Sequence, residues 1–258
     1  KPSELTPLNT LLLGEIINEV APAGVVNVIT GMADIGRAMS AHPDIAKVVF
    51  TGSSATGQHI MRNGADTLKR LTLELGGNDA GIVLPDADLD AIAMPIFQTA
   101  FLNMGQTCAA LKRLYVHESQ YDALCQKLVN IAEQQQVGNG EEQGVTFGPV
   151  QNAKQLQRVI DLVNDARAHG AQVLCGGTPS KGPGYFYPPT IVSEINDGTA
   201  LVDEEQFGPV LPVIRYSNLD DAIAKANALE VGLGASAWGN DPEEAAKVAR
   251  KMVAGTRW

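Results

Sequence analysis

Lys47-Val48-Val49-Phe50-Thr51-Gly52-Ser53-Ser54-Ala55-Thr56-Gly57 joins a β-branched run to a glycine-bearing turn, and His59-Ile60-Met61 continues it as a helix. Strand, tight turn and helix in that order are the grammar of a parallel sheet with crossover helices. The same grammar holds on both sides. Upstream, Thr6-Pro7 predicts an N-cap and a first helical residue, and Leu8, Leu11, Leu12, Ile16 and Val20 fall at helical spacing, which predicts a buried face. Pro22 and Gly24 end that helix, Val25 to Ile29 predicts a short buried strand, and Ile35 to Ala41 a second helix stopped by His42-Pro43. Downstream, strands are expected at Arg70–Leu75, Ala80–Leu84, Arg113–His117, Gln172–Cys175, Leu211–Tyr216 and Gly234–Trp238, with amphipathic helices between most of them. The fold class expected is α/β, parallel sheets with flanking helices, in two parts, 1–76 and 77–258.

Composition sets outer bounds. The 258 residues are 45% apolar and 19% charged, ordinary for a globular enzyme with a sizeable core. A net charge of −10 with no Lys/Arg cluster argues against nucleic acid or an anionic membrane as partner. Cys108, Cys125 and Cys175 are odd in number and far apart, which fits free thiols in a reducing, cytoplasmic setting and neither a disulfide scaffold nor a metal site.

Four places carry chemistry. Asn103-Met104-Gly105-Gln106-Thr107-Cys108 puts a thiol after a polar, glycine-bearing loop, where backbone donors and partial exposure suit a thiolate; a lone cysteine is more often a small core residue. Cys125 and Cys175 sit in apolar periods and read as structural. Gly52-Ser53 at a helix start suits a phosphate, although Ser53 as a simple N-cap explains it equally well. The Gly-x4-Gly spacing to Gly57 is half a P-loop, but Gln58 and His59 stand where Lys and Ser/Thr are required. Glu74, before Gly76-Gly77, ends a strand on the edge where open sheets place ligands. Glu204-Glu205-Gln206-Phe207 carries two acids and an aromatic ahead of a strand, where charge usually only keeps a loop wet.

Lys1-Pro2-Ser3-Glu4, Phe50-Thr51-Gly52-Ser53, Glu74-Leu75-Gly76-Gly77, Gly105-Gln106-Thr107-Cys108 and Glu205-Gln206-Phe207-Gly208-Pro209 together resemble the NAD(P)-dependent aldehyde dehydrogenase superfamily. The resemblance implies a partial Rossmann-like dinucleotide-binding domain over 1–76 and a catalytic thiol domain over 77–258. It makes Cys108 the nucleophile that passes through a thiohemiacetal and a thioester, with its own backbone N–H serving the oxyanion. Glu74 becomes the base that activates the hydrolytic water, a task suited to a partly buried carboxylate. Lys1 and Glu4 would hold the adenosine ribose, which favours NAD over NADP; Gly52 and Ser53 would meet the pyrophosphate, and Gly57 would let the helix pack closely. Glu205 would hold the nicotinamide ribose and Phe207 would lie against the ring. An aldehyde substrate, and a homo-oligomer in a full-length protein, are implied as well.

Departures from the family pattern shape two further expectations. A typical member is about twice as long, and no segment here matches the upstream Asn that completes the oxyanion hole, so the chain is expected to be a fragment with weak activity or none. Two other functional classes compete: a cofactor-free thiol esterase, which needs a histidine partner that none of His42, His59, His117 and His169 supplies from its position, and a silent structural or binding subunit.

Overall fold

The computed structural model describes residues 1–258, and the chain divides into two compact units, Lys1–Leu75 and Gly76–Trp258. The first unit holds α1 (Leu8–Val20), α2 (Ala33–Ala41), β1 (Lys47–Thr51), α3 (Ser54–Ala65) and β2 (Arg70–Glu74). β1 and β2 pair in parallel from Lys47 opposite Arg70 to Thr51 opposite Glu74. Ser53 caps α3, its Oγ accepting from the Thr56 amide at 3.3 Å. Gly57 lies against Leu75, where a Cβ would come within 2.6 Å of the Leu75 side chain.

Three expectations for this unit are corrected. Val25 to Ile29 is not a strand, and Val25 and Ile29 are exposed. A strand needs a ladder partner, and the only sheet here is the β1–β2 pair. The apolar stripe of α1 is likewise not buried: Leu8, Leu12, Ile16 and Val20 face solvent, and Gly14, against Val28, is its only buried residue. Periodicity reports a face that is fit for burial, and burial requires something to cover it. α1 also starts one residue later than expected, capped by Pro7 without any side-chain bond from Thr6.

The second unit is built on one seven-stranded sheet. Its elements are β3 (Asp79–Val83), α4 (Leu89–Phe101), β4 (Leu111–His117), α5 (Tyr121–Glu133), α6 (Ala153–Ala168), β5 (Gln172–Cys175), β6 (Thr190–Ser193), α7 (Ala200–Asp203), β7 (Val210–Tyr216), α8 (Leu219–Ala226), β8 (Gly234–Trp238), α9 (Pro242–Lys251) and β9 (Thr256–Arg257). The strand order is β5-β6-β7-β4-β3-β8-β9, parallel except for β5 with β6. The sheet is thus mostly parallel, as expected, and its one antiparallel pair arises where the stretch from Cys175 to Thr190 contains no crossover helix.

Alternation along the strands builds two cores. Ile82, Tyr115, Val192 and Ile214 point to the side packed by α6, α8 and α9, while Val83, Leu114, Ile191 and Val213 point to the side packed by α4 and α5. Both faces are covered, which is why these strands read as continuous apolar runs. Leu114 is fully buried in the central strand β4. Leu114→Ala is expected to lower the stability of this unit by about 2–5 kcal/mol, read as a lower urea midpoint at unchanged slope.

Candidate active site

After α4 the chain does not run straight into β4. It passes through a short 3-10 turn, Leu102–Gly105, in which Asn103 (φ 52°), Met104 (φ 62°) and Gly105 (φ 67°) are left-handed in succession. For the two non-glycine residues this conformation costs about 1–2 kcal/mol each. Packing and hydrogen bonds hold it in place. Met104 is buried, Asn103 Nδ2 donates to the Gln106 carbonyl at 3.2 Å, and Gln106 Nε2 returns a bond to the Asn103 carbonyl at 3.1 Å. The Gln151 amide donates to Gln106 Oε1 at 2.7 Å, tying the loop to the residues before α6. A Cβ at Gly105 would run into the Gly208 carbonyl, so close backbone approach and positive φ both require glycine there.

This loop delivers Cys108 half-buried, just ahead of β4. Its backbone N–H has no acceptor within the protein. Its carbonyl accepts from Lys112 Nζ at 2.8 Å, as does that of Thr107 at 2.8 Å, and the Ala110 carbonyl accepts at 3.3 Å. Lys112 is only 1% exposed. Its ammonium also lies 3.4 Å from Oε1 of Glu205, and that oxygen accepts from the Gly77 amide at 3.2 Å. Oε2 of Glu205 lies over Gly76, in the space a side chain there would fill. Gln206 Nε2 donates to the carbonyls of Lys112 and Val210 at 3.1 and 2.8 Å, locking the Glu205 loop to β4.

Burial pushes Lys112 below the usual lysine range, against the opposing pull of Glu205 and Asp79. It pushes Asp79 upward in turn, although the Gly234 amide at 3.1 Å and Lys112 stabilise the carboxylate. The next residue, Arg113, is 2% exposed and donates to the carbonyls of Asn78 and Ala226 at 2.9 and 3.0 Å. Asn78, Cys108 and Glu205 precede β3, β4 and β7, so this cluster stands at the amino edge of the parallel strands. The carboxyl-edge reading concerns Glu74 in the first unit, and the cluster of the second unit stands on the opposite edge of its own sheet. The loop of Glu205 does more than stay wet, because a buried cation lies under it.

In the first unit, Gly52 and Ser53 follow β1 and Glu74 ends β2, all on the carboxyl edge. The Gly52 amide is spent on the Glu74 carbonyl at 3.0 Å, so Gly52 offers space rather than a donor. Glu74 is exposed, which corrects the partial burial expected of it. Lys1 and Glu4 come together, Nζ 3.8 Å from Oε2. Phe207 is half-buried with φ 44°, and its carbonyl accepts from Gln155 Nε2 at 3.0 Å. The four histidines bond to neighbours in sequence: His42 to Asp44, His59 to Asn63, His117 to Ser119 and His169 to Asp165.

Lys112, Arg113, Asp79 and Gln206 escaped the sequence reading. A signal was present: Lys112-Arg113 puts two cations at the head of a strand otherwise read as buried on both faces, where charge is out of place unless paired.

A doubly covered, mostly parallel α/β domain that presents one half-buried thiol on a locked loop defines the structural class. Within it, the chain belongs to the aldehyde dehydrogenase family, whose family model matches residues 1–258. It is 40% identical over 261 residues to aldehyde dehydrogenase 1A1 of Bos taurus, covering 100% of this chain and 52% of the bovine one. Among solved structures, the NAD+ complex of aldehyde dehydrogenase from Bacillus cereus superposes with a TM-score of 0.96 at 38% identity, over 100% of this chain and 53% of that one. A variant of aldehyde dehydrogenase C from Pseudomonas syringae, complexed with NAD+ and octanal, does so with a TM-score of 0.96 at 37% identity, over 99% and 54%. The chain thus spans about half the length of the relatives it matches. No helix is long and apolar enough to cross a membrane.

The three thiols are expected to label unequally. Burial raises Cys175 and takes Cys125 up to about 12, which leaves Cys125 roughly 10³-fold less thiolate than an ordinary cysteine at mild pH. Iodoacetamide should therefore modify Cys108 first and Cys125 only after unfolding, as read by peptide mass spectrometry; early labelling of Cys125 would contradict the burial.

Proposed function

We propose that this chain carries the thiol chemistry of an aldehyde dehydrogenase, oxidising an aldehyde to a carboxylic acid with NAD as hydride acceptor. The observation that carries the reading is Cys108, half-buried on a strained, hydrogen-bonded loop with its own amide free, in a chain matched over its whole length by the family model. Two of the similar solved proteins, one complexed with NAD+ and one with NAD+ and octanal, support the same cofactor and substrate class. Residues 1–76 then serve as the partial dinucleotide-binding part and 77–258 as the catalytic part.

The residues fit such a cofactor. Ser53 caps one first-turn amide of α3 and leaves those of Ser54 and Ala55 to an anion, while Gly52 leaves the approach open. Lys1 and Glu4 form a polar pair for a ribose, and the Glu4 carboxylate opposes a 2′-phosphate, which favours NAD over NADP. Gly57 keeps α3 close to Leu75. Glu205 has Oε1 anchored and Oε2 available to a second ribose, and Phe207 is the flat apolar neighbour for a ring. When bound, NAD supplies the acceptor for the hydride.

The chain's own residues do the rest. The Cys108 sulfur, as thiolate, bonds to the aldehyde carbon, and the carbonyl electron pair moves to oxygen, where the Cys108 amide donates to it. Loss of hydride from that carbon leaves a thioester on sulfur. Glu74 takes a proton from a water that attacks the thioester, releasing the acid and restoring the thiol.

Two substitutions test the assignment by NADH absorbance. Cys108→Ala should abolish aldehyde-dependent NADH formation; retained formation removes Cys108 from the mechanism. Glu74→Gln should preserve a first burst while the steady state falls at least about tenfold, as expected when a general base is lost. An unchanged steady state excludes Glu74 as the base.

A further inference from the structure

Lys112 is a full charge where a covered strand normally places an apolar group. Its ammonium has three protons to give, and the carbonyls of Thr107, Cys108 and Ala110 lie at 2.8, 2.8 and 3.3 Å. Neutral acceptors alone do not offset the burial of an ion; a counter-charge is needed. Glu205 provides it at 3.4 Å, and it is the one carboxylate within ion-pair distance. Asp79 contributes at longer range, and the ammonium is bonded to the carbonyl of Cys108 itself, on the residue that carries the sulfur. The chemistry described above makes no use of this cation.

We propose that Lys112 is a positioning residue of the thiol site: its single buried charge couples the carboxylate of Glu205 to the loop of Cys108 and favours reaction through the anionic sulfur. The proposal rests on the reading of Cys108 as nucleophile. It assigns the two neighbours opposite electrostatic effects on the sulfur. Lys112 attracts the negative charge that develops there, and Glu205, paired with the ammonium at 3.4 Å, offsets part of that attraction. A Lys112 that only pinned carbonyls would act differently. Removing either partner would then loosen the same loop and change access to the sulfur in the same direction.

The test is the rate of Cys108 carboxamidomethylation by iodoacetamide in the 258-residue chain at fixed near-neutral pH, read by peptide mass spectrometry, with circular dichroism to verify the fold. Neither NAD nor aldehyde is added, so the result stands whether or not the chain oxidises aldehydes. Lys112→Met is expected to slow alkylation and Glu205→Gln to speed it, each by about threefold, the size expected for a charge several ångström away that is screened nearly as in water. Lys112→Arg should stay within about twofold of the parent, because the charge is kept, and the double variant Lys112→Met/Glu205→Gln should lie between the two single variants. Same-direction changes in the two single variants, or no change in either, overturn the proposal. If Lys112→Met does not fold, Glu205→Gln decides alone: faster alkylation supports the coupling, and slower or unchanged alkylation overturns it.

Discussion

An ammonium with almost no access to water is the constraint around which the second unit is assembled. Lys112 stands at the start of the central strand and can be neutral or charged there only if polar groups come to it. They come from the loop before its own strand, through the carbonyls of Thr107 and Cys108, and from the loop before β7, through Glu205. The loop before β3 joins through Gly77, whose amide meets the same carboxylate oxygen. Three strand entries, remote in sequence, are thus drawn to one point. The amino edge of the sheet becomes polar and organised, while β3, β4 and β7 behind it remain apolar on both faces.

The geometry of the thiol follows from that anchoring together with a local strain. Three left-handed residues in a row are unfavourable unless the ends are held. Met104 is held by burial, Gln106 by Asn103 and Gln151, and the carbonyls beyond by Lys112. A loop restrained at so many points has little freedom to relax inward, so its cysteine stays half-buried while Cys125, on a plain helix, is swallowed by the core. Two cysteines seventeen residues apart therefore have opposite character because one follows a strained loop and the other an apolar stripe.

The sequence was legible wherever local pattern and tertiary burial agree. β5 and β8 fall on the predicted residues, and Ser53 caps α3 as its chemistry suggests. It was misread where the outcome depends on a partner that pattern cannot see. Val25 to Ile29 has strand composition and no strand beside it, and α1 has an apolar stripe with solvent over it. For the site, Cys108 and Glu205 stood out through the motifs of the family resemblance and not by residue type alone, whereas Lys112 was hidden in an apolar strand. Its role arises from an ion pair spanning 93 positions of chain (205 − 112), which no local window contains.

The first unit's sheet has one further consequence. Two parallel strands of five residues, with a free edge on either side, form a ladder that is marginal in water without covering helices. The second unit secures its strands in a seven-membered sheet between two cores. Amide protons of β1 and β2 will accordingly exchange through openings of lower free energy than those of β3 and β4. Gly52, Ser53 and Glu74 lie on the smaller, less secured sheet, and Cys108 precedes the central strand of the larger one.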